Sequence, residues 1–187
     1  ELAVRAVGDL AGNASAHVND LTAPADFTPE LPRLTAASTL ISSPETEGTV
    51  NEEDQIILQF TKRMNADEIG ESFDVTITGG ASSPVSSIIT VRGVGDIADP
   101  DNSVLVTITT TGRDYSGNGT LVCTPSVGVW NNDCTMLTIT LNGPEEGQPS
   151  VDVPSGELVF TLGPLAVDMN GNTGPGTEDV TGASGGF

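Results

Sequence analysis

Two small groups of residues in this chain have types and spacings that suit chemistry. Cys123 and Cys134 flank a stretch with a proline, a glycine and an Asn-Asn pair, which are typical turn residues. Two cysteines that face each other across a hairpin predict a disulfide, whereas two thiols without a nearby histidine form a poor metal site. We therefore expect a disulfide between Cys123 and Cys134 and, with it, an oxidising compartment outside the cell.

The second group lies near the end of the chain. Asp168, Asn170 and Asn172 place three oxygen-bearing side chains at alternate positions, as in loops that bind Ca²⁺. The pattern departs from an EF-hand because Thr173 stands where the invariant glycine belongs. Asp and Asn also hydrogen-bond their own backbone in turns, so an ordinary turn is the alternative to calcium. No other cofactor is expected.

Catalysis finds little support among the residues of the chain. His17 is the only histidine and lies in the N-terminal segment, so the main part of the chain has no Ser-His-Asp arrangement. Trp130 and Tyr115 are the only large aromatic residues with a polar tip. Trp130 either covers the predicted disulfide or, with Tyr115, stacks on a sugar. We expect a protein that is not an enzyme.

The charge balance narrows the choice of partners. The formal net charge is −20, from 26 acidic and six basic residues. Such a surface repels nucleic acid and anionic lipid, so we expect no binding to either. No apolar run approaches the ~20 residues of a membrane-spanning helix, and no membrane insertion is expected. Asn13 and Asn118 head formal glycosylation sequons, which matter only in an organism that glycosylates them.

Strands are the elements that must position these residues. Aromatic residues make up only 4% of the chain, so the core must consist of β-branched and aliphatic side chains that suit strands. No helical crossover pattern separates the strand-like segments, which predicts an all-β two-sheet sandwich. A single helical turn is expected at 66–69. The predicted strands are 34–41, 55–60, 73–78, 87–91, 104–109, 120–123, 134–141 and 158–162.

Composition divides the chain into three parts. Residues 1–31 form an extended strand arm followed by a proline-rich linker, residues 32–176 form the sandwich, and residues 177–187 form a glycine-rich tail. Within the arm, Leu2, Val4 and Ala6 alternate with other residues as in a strand. An isolated strand cannot satisfy its own backbone groups, so we expect this one to pair with another sheet.

Motifs at both ends of the predicted sandwich resemble a known family. Residues 42–50 (SSPETEGTV) and 56–65 (IILQFTKRMN) are similar to the opening of bacterial Ig-like extracellular domains, with the patterns S-P-x-x-G-x-x-V and I-x-L-x-F-S-x-x-M-D. Residues 165–172 (LAVDMNGN) are similar to the family's closing V-x-D-x-x-G-N. The resemblance covers roughly 34–175 and implies an Ig-like sandwich at the cell surface. The middle, with the cysteines, departs from the family pattern.

The closing motif has an echo at the start of the chain, where residues 7–13 read VGDLAGN. The echo is either the end of a preceding tandem domain, a strand that pairs with a neighbouring copy, or an unrelated turn. The sequence thus predicts a structural subunit of an extracellular filament or surface assembly, which polymerises with copies of itself by donating its N-terminal strand. The alternatives are a spacer or adhesin module of a tandem-repeat surface protein, and a carbohydrate-binding module.

Overall fold

The computed structural model describes residues 30–41, 50–80, 86–94, 103–112, 114–116, 119–143 and 158–174. From Leu31 onward these residues belong to one structural unit, Leu31–Phe187. The predicted arm, most of the predicted linker and the glycine-rich tail lie outside the described residues. The three-part division of the chain therefore stays a prediction.

Strands dominate the described residues, and the prediction of an all-β fold is confirmed. The only helix among these residues is the four-residue α1 (Ala66–Ile69), at the predicted helical turn. The strands are β1 (Thr39–Ile41), β2 (Gln55–Gln59), β3 (Ser72–Gly80), β4 (Ser86–Gly93), β5 (Val104–Thr111), β6 (Thr120–Trp130), β7 (Met136–Thr140) and β8 (Leu158–Leu162).

All eight strands belong to one antiparallel sheet, with the order β1-β2-β7-β6-β3-β4-β5-β8. β6 makes this sheet continuous, because its first part pairs with β3 and its last residues pair with β7. Val127 takes part in both pairings, opposite Ser72 on one side and Thr140 on the other. The strands therefore form one curled sheet, and the two separate sheets of the predicted sandwich are not confirmed.

The curl closes the sheet at one end. Met64, which follows β2, forms a bridge with Asp168, which follows β8. Beside this bridge, the backbone N–H of Asn65 donates to the carbonyl oxygen of Val167 at 2.9 Å. On its other side, the N–H of Met64 donates to the carbonyl oxygen of Cys134 at 2.8 Å. The continuation of β2 is thus held between the β6–β7 turn and the segment that follows β8.

The core is built from rows of residues that lie opposite each other on neighbouring strands. Ile77, Ile89, Ile108 and Phe160 form one such row across β3, β4, β5 and β8, and all four are fully buried. Complete burial of an aliphatic or phenyl side chain contributes roughly 1.5–3 kcal/mol. Because side chains alternate along a strand, the residues that precede and follow each of these four point to the opposite surface of the sheet.

Most predicted segments match the observed strands closely, but β1 has three residues where the prediction was 34–41, and β6 is much longer than predicted. β8 has the predicted bounds, and β3, β4 and β5 are slightly longer than predicted. β6 was predicted to end at Cys123 but runs on to Trp130. Pro125 is tolerated because the register shifts there: Thr124 and Pro125 together stand opposite the single residue Asp74. Such bulges are among the few places where a strand accommodates proline.

Gly128 is where packing, not turn geometry, requires a glycine. A Cβ atom at this position would overlap the ring of Phe73 and crowd the side chain of Leu137.

We expect Gly128→Ala to lower the free energy of unfolding by about 1–3 kcal/mol, the usual cost of overpacking a core. Urea denaturation measures it. The control is Val129→Ala at the exposed neighbouring position, for which we expect a change within about 0.5 kcal/mol. Equal losses in the two variants would contradict this packing role.

Candidate functional site

The outer edge of β8 is the candidate site for receiving another strand. Among the described residues, β8 pairs with β5 alone. The N–H of Gly163 donates to the carbonyl oxygen of Leu105 at 2.8 Å. Because hydrogen-bonded residues alternate along an antiparallel strand, Val159 and Thr161 are the residues of β8 that form hydrogen bonds with β5. The remaining residues of β8 direct their N–H and C=O groups away from β5: Leu158, Phe160 and Leu162.

β8 lacks three sequence and pairing features that often protect an edge strand. Its sequence, Leu-Val-Phe-Thr-Leu, has no charged residue and no proline, and its pairing with β5 has no bulge. Natural proteins use these features to prevent edge strands from pairing with other chains. The opposite edge, β1, has only three residues. β8 is therefore the better template for an added strand. The sequence predicted a receiving edge without identifying it, although this uncharged run was a usable signal.

The predicted disulfide between Cys123 and Cys134 is wrong, because both cysteines are free. Cys123 is buried within β6 opposite Val75, whereas Cys134 follows the turn after β6. The strand between Cys123 and Trp130 spans a distance on the order of 20 Å, while a disulfide requires Cα atoms within ~7 Å of each other. The segment predicted to be a loop is the second part of β6, and it holds the two sulfur atoms apart.

Cys123 lies in an environment that suppresses thiol reactivity. Burial raises the pKa of Cys123 to about 12, and the negative charge of Asp54 acts in the same direction. The thiolate is the reactive form of cysteine, so a thiol that stays protonated is inert. Cys123 is a core residue, and the cysteines give no support for an oxidising compartment.

The two polar-tipped aromatic residues have structural contacts. Tyr115 is fully buried and therefore cannot stack on a sugar. The indole of Trp130 stacks on the ring of Phe60, with ring centroids 5.9 Å apart. Its Nε1–H donates to the carbonyl oxygen of Gly70 at 3.1 Å. Trp130 thus covers Phe60 at the edge of the core and not a disulfide, which corrects the prediction.

Asp168 organises the turn in which the predicted calcium ligands lie. Its Oδ1 accepts hydrogen bonds from the backbone N–H of Asn170 at 2.8 Å and of Asn172 at 2.9 Å. Its Oδ2 accepts a hydrogen bond from Nδ2 of Asn172 at 3.0 Å. This geometry supports the ordinary turn, and the calcium site stays a prediction. In the described part of the chain, no group of three or more His, Cys, Asp or Glu side chains is placed to hold a metal ion.

The same contacts determine the ionisation of Asp168. Burial acts to raise the pKa of its carboxyl group, but the hydrogen bonds from Asn172 and Asn170 and the nearby charge of Lys62 outweigh that effect. The pKa of Asp168 therefore lies below its ordinary value. The hydrogen-bond donors of its own turn keep this carboxylate ionised. It therefore stabilises the folded chain only while it carries its charge.

Several predicted site residues lie outside the described residues and stay predictions. These are the strand-joining residues Leu2, Val4 and Ala6 and the sequon residues Asn13 and Asn118. Within the described ranges, no helix has both the length and the apolar character needed to cross a membrane.

Comparisons with known proteins add no relative to this picture. No protein-family model, no curated protein and no solved structure matches the chain. The resemblance to bacterial Ig-like domains therefore rests on the motifs at 42–50, 56–65 and 165–172 alone.

Asp168→Ala should destabilise the fold in a pH-dependent manner. At neutral pH we expect a loss of about 2 kcal/mol, because charge-assisted hydrogen bonds to three donors disappear. The folded-state pKa is depressed, so this contribution is present above the unfolded pKa of ~3.9 and is lost as pH falls through the folded pKa. Melting curves between neutral and acidic pH should show the wild type and the variant converging in acid.

Asp133→Ala is the matched control, because Asp133 is an exposed carboxyl group in another turn. It should leave the melting temperature nearly unchanged at every pH. A difference between wild type and Asp168→Ala that persists in acid would contradict the proposed role of the charge. A lower wild-type melting temperature in excess chelator would instead favour the calcium site.

Thiol titration tests the cysteine geometry. In the native protein we expect only Cys134, which is partly exposed, to react with a thiol reagent. Unfolding should expose the thiol of Cys123, which then reacts as the second thiol of the chain. Cys134→Ser should abolish the native reaction, whereas Cys123→Ser should leave it unchanged. Failure of both thiols to react in non-reducing denaturant would show that a disulfide exists after all.

Proposed function

We propose that this chain is a non-enzymatic structural subunit of an extracellular filament or surface assembly. In this proposal, each copy donates its N-terminal strand, with Leu2, Val4 and Ala6, to the β8 edge of the next copy. Repeated head-to-tail pairing of this kind generates an open filament. The observation that supports the proposal is that β8 has no charged residue and no proline, and that it pairs with β5 alone among the described residues.

The side chains of β8 favour a donated strand of alternating pattern. Leu158, Phe160 and Leu162 are almost completely buried, while the residues between them face the opposite surface. An added strand beside β8 continues this division of the sheet into a core side and an outer side. The alternation at Leu2, Val4 and Ala6 supplies three apolar side chains to the core side.

The energetics of such a joint are favourable. The backbone groups of three β8 residues point away from β5, and each hydrogen bond they gain contributes roughly 0.5–1.5 kcal/mol net. Burial of the apolar side chains of the donated strand adds ~25 cal/mol per Å² of apolar area. Backbone pairing and burial together favour a durable contact.

The extracellular location belongs to the proposal and rests on the resemblance to bacterial Ig-like domains. The free cysteines contribute nothing to it. The carbohydrate-binding alternative has no supporting geometry, because Tyr115 is buried and Trp130 packs on Phe60. The spacer or adhesin module remains the outcome to be expected if the chain does not assemble.

A pair of single substitutions tests the donated strand. If Val4 faces the core of the next subunit, Val4→Asp places an unpaired carboxylate in an apolar environment. We expect association to weaken roughly 100-fold or more, equivalent to about 3 kcal/mol. Sedimentation velocity and negative-stain microscopy of the full-length chain measure the loss of filaments.

Ala3→Asp is the matched control. It adds the same charge to the neighbouring position, which faces the opposite side of a strand in which Val4 faces inward. This variant should still form filaments. A wild-type chain that stays monomeric, or equal loss of assembly in the two variants, would refute strand donation and leave the spacer module as the better explanation.

A further inference from the structure

The outer surface of β6, β3, β4, β5 and β8 carries almost no charge. The eight strands contain only two charged residues, Asp74 and Arg92, which stand opposite each other on β3 and β4. The formal net charge of the chain is nevertheless −20. In an antiparallel sheet with one buried side, the residues that alternate onto the exposed side are normally polar or charged. The exclusion of charge from this surface therefore requires an explanation.

Threonine occupies the centre of this surface. Thr76, Thr90, Thr107 and Thr161 lie directly opposite one another across β3, β4, β5 and β8. Val122 of β6 extends the row beyond Thr76 and is 55% exposed. We define the threonine face as this row together with the adjacent row, Thr78, Ile88 and Thr109.

The threonine face lies at the centre of a broader, nearly uncharged surface. Five strands spaced ~4.8 Å apart give a width of about 24 Å, and the eight residues of β5 give a length of about 26 Å. The outer surface of the five strands therefore covers at most roughly 600 Å², with the threonine face as its central part, whereas each partner in a standard protein interface buries ~800 Å².

The chemistry of this face fits a second copy of the same chain. A threonine hydroxyl both donates and accepts hydrogen bonds, and the adjacent methyl group packs against apolar side chains. A surface of threonine, valine and isoleucine is therefore complementary to itself, as a contact about a two-fold axis requires. A charged partner would need opposite charges, which this face lacks apart from Asp74 and Arg92.

The distribution of charge also favours this face over the rest of the molecule. Two copies that each carry −20 repel one another wherever their carboxylates approach. Among the residues of the strands themselves, a contact through this surface brings only the Asp74 and Arg92 pair into the interface. We propose that the threonine face packs against the threonine face of a second copy about a two-fold axis.

Salt distinguishes this contact from an ionic one. Screening shortens the range of the repulsion from ~10 Å at 0.1 M salt to ~3 Å at 1 M salt. Association through the threonine face therefore strengthens as salt rises, whereas an interface of ion pairs weakens. The contact does not involve the donated strand. In a filament, it joins two neighbouring rows of subunits side by side.

Thr90 is the position at which to test the contact, because β4 is the middle strand of the five and Thr90 lies near its centre. In a two-fold contact this position lies close to its equivalent in the second copy. We expect Thr90→Lys and Thr90→Glu each to weaken salt-promoted association of the full-length chain by at least about tenfold, because like charges then meet. An equimolar mixture of the two variants should restore association, because opposite charges then face each other.

Thr138→Lys is the matched control, since Thr138 is also a partly buried threonine near the middle of a strand, but on β7. It should associate as the wild type does in sedimentation velocity. Thermal melts establish that every variant is folded. Val4→Asp separates the two contacts: it should abolish filaments and retain the salt-promoted association.

Four results would overturn the proposal. The first is a wild-type chain whose association does not strengthen with salt. The second is normal association of Thr90→Lys. The third is a mixture of Thr90→Lys and Thr90→Glu that associates no better than either variant alone. Loss of the salt-promoted association in Val4→Asp would likewise assign it to the donated strand and not to the threonine face.

Discussion

β6 pairs with β3 along its first part and with β7 along its last residues, and the curl of the sheet depends on this double pairing. The bulge at Thr124 and Pro125 lets the strand change direction without ending. Gly128 then leaves room for the ring of Phe73. Because one strand serves both parts of the sheet, the core is a single cluster and both edges of the sheet, β1 and β8, are placed by it.

Three buried carboxyl groups organise turns inside the fold. Asp54, Asp114 and Asp168 are all nearly inaccessible to solvent. Each accepts a hydrogen bond from a backbone N–H of its own turn, at distances between 2.7 and 3.0 Å. Such hydrogen bonds compensate for the loss of water around the carboxylate. These residues are structural, and they hold the turns that connect the uncharged strands.

Separation of charge from the strands links the fold to the proposed assembly. The eight strands contain a single acidic residue, Asp74, so their surfaces are almost free of the repulsion that a net charge of −20 otherwise implies. In the proposed assembly, the contact at β8 uses backbone hydrogen bonds, and the contact at the threonine face uses side chains. The two surfaces are chemically different, so one contact does not substitute for the other.

The amino-acid sequence by itself determined the class of fold, because alternation of apolar residues and the residues of turns are local signals that tertiary contacts reinforce. The bounds of β8 and of α1 followed from these signals alone. Only the tertiary structure decided that β6 continues through Pro125, since the shift in register opposite Asp74 that accommodates the proline involves a different strand. The same contact separates Cys123 from Cys134, and pairing between distant segments likewise decides that β8 is last in the strand order of the described residues. Sequence proximity suggests a disulfide and local pattern suggests a strand, but neither specifies the neighbour across the sheet, and that neighbour decides both.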